Sequence, residues 1–131
     1  MIPNKNQLIQ ARERIQPYIH QTPVLSSKSI NEIVGAKLYF KCENFQKMGA
    51  FKMRGAANAL LQLSEAQKQM GVTTHSSGNF AQAVALSAKL TGTKATIVMP
   101  SNAPAVKKKA VIGYGATVID CEPTLQARES T

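Results

Sequence analysis

From residue 72 onward the chain alternates in short, regular steps, and this alternation limits its possible folds more than any other feature. Residues 72–75 read as an extended segment, 79–90 as a helix and 95–99 as a β-branched strand. Residues 104–112 read as a second helix, 117–119 as a third strand, and a further helix begins near Thr124. Strands joined by helix-length crossovers form a parallel sheet with covering helices, so the expected fold class is α/β. Right-handed crossovers bring the carboxyl ends of all such strands to one rim, and that rim then carries Ser76, Ser77, Gly78 and Asn79. At 131 residues the chain has enough length for one ordinary core.

The first half is less regular. Leu8, Ala11, Ile15 and Ile19 make a loose helical stripe that Pro17 should end. Residues 20–25 read as extended chain around Pro23. Residues 27–34 form a short helix closed by Gly35, and residues 36–43 a strand. A helix is expected from Lys52 to about Leu63, then another over 64–70 with Ser64 as its cap and Gly71 as its stop.

Between the strand over 36–43 and the helix at Lys52 lies Gly49-Ala-Phe-Lys-Met-Arg-Gly-Ala-Ala-Asn58. Small residues flank Lys52 on both sides, at Gly49, Ala50, Gly55 and Ala56, so a bulky group can approach the backbone. Phe51 offers an aromatic wall beside the amine. A lysine at a helix start is ordinarily solvated. Held in a dry, partly apolar site it loses proton affinity and becomes a better nucleophile and base.

The longer run Glu43-Asn-Phe-Gln-Lys-Met-Gly-Ala-Phe-Lys-Met-Arg-Gly-Ala-Ala-Asn58 resembles the cofactor-lysine segment of fold-type II (tryptophan synthase β-like) pyridoxal-phosphate enzymes. Within that group it is most similar to serine racemases and serine/threonine dehydratases. A second motif follows in the family's order, Thr74-His-Ser-Ser-Gly-Asn79. The similarity runs from about Ile15 to the last residue and covers less than half of a usual family member. It implies that pyridoxal 5'-phosphate is bound covalently through Lys52, with Phe51 packed beside its ring and Asn79 hydrogen-bonded to the ring hydroxyl. It further implies that Ser76, Ser77, Gly78, Asn79 and Phe80 meet the carboxylate of an amino-acid substrate. By themselves, those residues stand between a strand and a helix, where backbone N–H groups can face an anion, and a plain Ser/Asn helix cap is the simpler reading.

Two details bear on the reaction the resemblance implies. Phe80 stands where the family usually has histidine, which removes an imidazole and touches substrate range more than cofactor attachment. Ser77 matches the serine with which racemases protonate the carbanion face opposite the lysine, where threonine dehydratases often have alanine. The stretch Tyr114-Gly-Ala-Thr-Val-Ile-Asp-Cys-Glu-Pro123 also resembles the racemase branch, in which an arginine matching Arg128 lies near the mouth of the site. The implied activity is β-elimination of L-serine or L-threonine to a 2-oxo acid and ammonia, with serine racemisation as a possible companion or main activity.

The resemblance assigns residues 1–63 to part of the large cofactor domain, and residues 64–131 to a small βα domain cut at its last helix. The eight glycines are scattered and form no glycine-rich phosphate loop, and no acidic cluster suits the divalent cation of racemase relatives. The expectation is a half-site that is inactive by itself, belonging to an enzyme that is a homodimer at full length. A truncated, catalytically inactive binding protein is the alternative.

Composition narrows the partners. Sixteen Lys and Arg against seven Asp and Glu give a net charge of +9, which attracts anions. The one dense basic run, Lys107-Lys-Lys109, has no interleaved aromatics, so it reads as the wet face of a helix and not as a nucleic-acid surface. Cys42 and Cys121 lie in apolar runs and read as reduced interior thiols, with no metal site expected. The start lacks the order of a signal peptide and no run is long enough to span a bilayer, so a soluble, cytoplasmic protein is expected.

Overall fold

A computed structural model describes residues 2–131. Helix α1 (Lys5–Ile15) begins at Asn4, whose side chain accepts from the Gln7 N–H while the Gln7 side chain returns to the Asn4 N–H. Pro17 falls in the 3₁₀ turn Gln16–Tyr18 that ends it. Strand β1 (Val24–Leu25), helix α2 (Lys28–Val34) and strand β2 (Phe40–Lys41) follow, with Ser27 capping α2 and Gly35 closing it. β1 and β2 pair antiparallel over two residues each, so the strand expected over 36–43 shrinks to a short bridge. Its neighbours explain why. Pro23 has no N–H to offer, although its carbonyl accepts from the Cys42 N–H. Upstream, the Leu38 N–H is taken by the Asn31 side chain and the Leu38 carbonyl by the Ser26 hydroxyl.

Helix α3 (Lys52–Leu60) stops short of Leu63 because the Gln62 and Leu63 N–H groups tighten to carbonyls three residues back. Helix α4 (Glu65–Met70) then starts on a Ser64–Gln67 capping box. Strand β3 (Val72–His75), helix α5 (Asn79–Thr91), strand β4 (Ala95–Pro100), helix α6 (Ala105–Gly113), strand β5 (Thr117–Cys121) and helix α7 (Leu125–Ser130) complete the chain. β3, β4 and β5 form one parallel sheet in that order, with Val72 opposite Ala95 and Thr96 opposite Thr117. The expected parallel sheet with covering helices is present.

Central strand β4 holds the core. Ile97 and Met99 are fully buried there, and Ala81, Ala83, Val84, Ala85 and Ala88 of α5 pack over them with Val111 of α6. Alanines on α5 let a second helix lie close, and α3 fills that place with Ala56 and Leu60. The Ser87 hydroxyl of α5 reaches Met53 Sδ of α3 at 3.7 Å. One core therefore joins α3 to the sheet across residues 63 and 64. A smaller cluster, Ile15, Met53 and Ala57, attaches α1 to the other side of α3. The two cysteines are free and half-buried rather than interior.

Candidate active site

Packing α3 beside α5 brings their amino termini together, and with them the two sequence motifs. Lys52 is the first residue of α3, and Phe80 is the second of α5. The Lys52 ammonium lies 5.3 Å from the centre of the Phe51 ring and 5.8 Å from that of Phe80. Phe80 thus stands against the lysine amine, a placement the sequence did not reveal. Lys52 is exposed, so the dry setting expected for it is not what these residues make. Its amine is open to solvent on one side and flanked by two aromatic faces on the other.

The turn into α3 is strained. Met48 has φ +53° and Gly49 φ +77°, two consecutive residues in the left-handed region, and only the glycine adopts it without cost. Met48 packs against both hydrophobic clusters, which compensates the strain and fixes the direction in which Ala50, Phe51 and Lys52 leave the turn.

Two polar anchors hold the loop from behind, and neither was recognised from the sequence. Gln46 is buried, its Oε1 accepting from the His20 and Lys47 N–H groups and its Nε2 donating to the His20 carbonyl at 2.9 Å. Arg54, two residues past Lys52, donates from Nε (2.8 Å) and from a terminal nitrogen (2.6 Å) to Glu43, which also accepts from the Thr22 hydroxyl at 2.6 Å. Arg54's hydrogen bonds outweigh desolvation and, with help from Thr22, lower the Glu43 carboxyl to about 2. The same contact raises Arg54. Glu43 and Arg54 both lie inside the lysine motif, but nothing in their spacing shows that they pair.

The second motif sits at the end of β3, on the expected rim. The Ser76 N–H donates to the Val98 carbonyl of β4, and the Ser76 hydroxyl accepts from the Gly78 N–H at 3.3 Å. The Gly78 N–H is therefore already engaged, which removes one of the donors expected to face an anion. Ser77 is half-buried, and Asn79 is exposed at the head of α5.

The basic run 107–109 is not a uniform wet face. Lys109 is exposed, Lys108 pairs with Asp120 of β5, and Lys107 turns toward the Ser76–Asn79 loop. Arg128 is not joined to the lysine by any hydrogen bond. Its Nε donates to the Thr124 carbonyl one turn earlier in α7.

The arrangement fits the planar, aldehyde-bearing ring of the cofactor that the sequence resemblance implies, while these residues supply no glycine-rich cradle for its phosphate. An accessible primary amine stands between aromatic faces, and a Cβ at Gly49 or Gly55 would meet nothing within 4 Å, leaving room along the lysine. Comparison with known proteins agrees. Residues 15–131 match the family described as pyridoxal-phosphate dependent enzyme. The chain is 54% identical over 121 residues to serine racemase of Dictyostelium discoideum, covering 92% of this chain and 37% of that protein. It is 48% identical over 130 residues to beta-hydroxyaspartate dehydratase of Paracoccus denitrificans, covering 99% of this chain and 41% of that one. The structure of maize serine racemase superposes with a TM-score of 0.96 at 51% identity, over 99% of this chain and 40% of that chain. The chain thus spans about two-fifths of the length of the relatives it matches. A lysine and a serine-asparagine loop carried to one place by packed helices, in a fold shared at this level of identity, make the chain a member of the pyridoxal-phosphate dependent enzyme family.

Proposed function

We propose that the protein takes part in β-elimination of L-serine or L-threonine, giving a 2-oxo acid and ammonia, with serine racemisation as a second outcome. The observation that carries this reading is the meeting of Lys52 with the head of α5, where Phe80 and Asn79 stand. Bound pyridoxal phosphate would supply the electron sink that stabilises negative charge at the substrate α-carbon. Lys52 would hold the cofactor covalently, and its amine, when free, would take the α-proton of the substrate. Phe51 would pack beside the ring, and Asn79 would hydrogen-bond the ring hydroxyl. Ser76, Ser77, Gly78 and Phe80 border the substrate. Ser77 returns a proton from its hydroxyl to the face opposite Lys52, which inverts the α-carbon. Arg128 belongs to the mouth of the site on the strength of family resemblance.

Racemisation as the main activity is favoured by the similarity to proteins described as serine racemases. The reading also takes residues 1–63 and 64–131 as parts of two domains that meet at the site, in a cytoplasmic homodimer. The described residues contain no helix long and apolar enough to cross a membrane. With Lys52 exposed and no glycine-rich phosphate cradle among these residues, the 131-residue chain alone is proposed to be inactive.

Borohydride reduction of the complete, cofactor-loaded protein followed by peptide mapping tests the central assignment. The pyridoxyl mass is expected on Lys52, and finding it on another lysine would overturn the reading. Ser77→Ala should then lower D-serine formation by about a hundredfold while pyruvate formation falls far less. Equal losses would remove Ser77 from the proton path.

A further inference from the structure

We infer that Lys107 binds the carboxylate of the substrate, a role for the basic run that its position in sequence does not suggest. This rests on the reading of Ser76–Asn79 as the substrate's carboxylate loop. Strands β3 and β4 are parallel neighbours, so the loops that leave their carboxyl ends lie side by side. One loop leads into α5, the other into α6. Lys107 is the third residue of α6, and its N–H is held by the Pro104 carbonyl at 2.9 Å. From there its side chain crosses to the other loop, and its Nζ lies 3.7 Å from the point where a Cβ on Gly78 would stand. Gly78 is thus the one place on the turn where the absence of a side chain leaves the ammonium beside the backbone.

The charges around this point have one sign. Lys107 is half-buried and has no acidic partner among the described residues, unlike its neighbour Lys108 on Asp120. It faces the amino end of α5, a helix of 13 residues whose terminus carries partial positive charge. The Lys52 ammonium stands near the same helix end, against Phe80. Two positive centres from separate elements, the Lys107 ammonium and the head of α5, meet at this turn and together favour an anion there. The Gly78 N–H is turned back to Ser76, so the Lys107 ammonium takes the place of a backbone donor that the turn does not present. A carboxylate fits: it is small, accepts from several donors and is carried by every amino-acid substrate.

Calorimetric titration of the complete, cofactor-loaded protein with L-serine and with L-serinamide, which lacks the carboxylate, tests the assignment. Lys107→Met is expected to weaken L-serine about tenfold or more and to leave serinamide within about twofold. The KM for L-serine should rise with little change in kcat, and Lys107→Arg should retain most of the affinity. Lys108→Met, which breaks only the pair with Asp120, should affect neither ligand. Equal weakening of both ligands, or no weakening of L-serine, overturns the inference.

A second measurement separates this from the proposed reaction. In the cofactor-free, ¹⁵N-labelled chain, titration with propionate should shift the Ser77 and Asn79 amide signals, and Lys107→Met should abolish the shift. That result with no turnover of any amino acid would sink the proposed function and leave Lys107 as a carboxylate ligand. Shifts that survive Lys107→Met, shifts produced by inorganic phosphate but not by propionate, or no shifts at all would overturn the role of Lys107.

Discussion

The segment before the lysine and the sheet after it are held together in different ways. Residues 2–49 bury few apolar side chains: Ile33 is 83% exposed and Tyr39 71%. Their shape comes from side chains bonding to backbone, with Gln46 on His20, Asn31 and Ser26 on Leu38, and Thr22 with Glu43 and Arg54. The sheet and α5 do the reverse. Ile97, Met99, Ala81 and Ala83 are fully buried, and few polar side chains intervene. The candidate site lies where these two kinds of structure meet, at the head of α3. A strained turn there is supported by polar anchors on one side and by a dry core on the other.

This contrast can be broken by experiment, and the largest effect belongs to the core. Ile97→Ala should cost about 3–4 kcal/mol, since a fully buried branched side chain leaves a cavity on the central strand. Urea denaturation gives the shift, and a smaller loss than at Gln46 would reverse the ranking of the two regions. Gln46→Ala comes next. It leaves the His20 N–H, the Lys47 N–H and the His20 carbonyl without their partner, at about 2–3 kcal/mol. Gln46→Leu, equal in bulk, should be no better, because the lost term is hydrogen bonding. Rescue by leucine would show that packing holds this loop after all.

The smallest effect is a dependence on pH. Glu43 is lowered from 4.5 to about 2 in the folded chain, so it binds its proton less readily folded than unfolded. Its contribution to stability is present above pH 4.5 and is lost as pH falls toward 2. The partly exposed pair is worth about 1–2 kcal/mol after solvent screening. Glu43→Gln should remove that part of the acid slope while leaving the slope above pH 5 unchanged. An unaltered acid slope would mean that Arg54 does not hold the carboxylate as the geometry indicates.

Legibility followed the same division. Strand β3 falls on the residues that alternation predicts, Ser64 caps the helix expected of it, Gly35 closes α2, and Pro17 ends α1. Each of these depends on groups a few residues apart, which a periodic reading detects. The strand expected over 36–43 was too long because its partner, around Pro23, could not supply a full ladder. Buried Gln46 had no signal at all, since a glutamine in a loop is ordinarily solvated. The run 107–109 misled for a related reason: three adjacent lysines point in three directions around a helix, and each meets a different neighbour.

By itself the sequence determined the order and type of the elements, the parallel sheet, and the two motifs that meet at the candidate site. These follow from side-chain period, capping residues and the short-range geometry of a strand–turn–helix unit. Only the tertiary structure decided that Phe80 faces Lys52, that Arg54 reaches back to Glu43, and that Lys107 crosses from α6 to Gly78. Those contacts join residues 11 to 29 positions apart, on elements whose separation and rotation are set by the packing of α3 and α5 over β4. A small change of helix rotation would redirect each of these side chains without altering any local pattern along the chain.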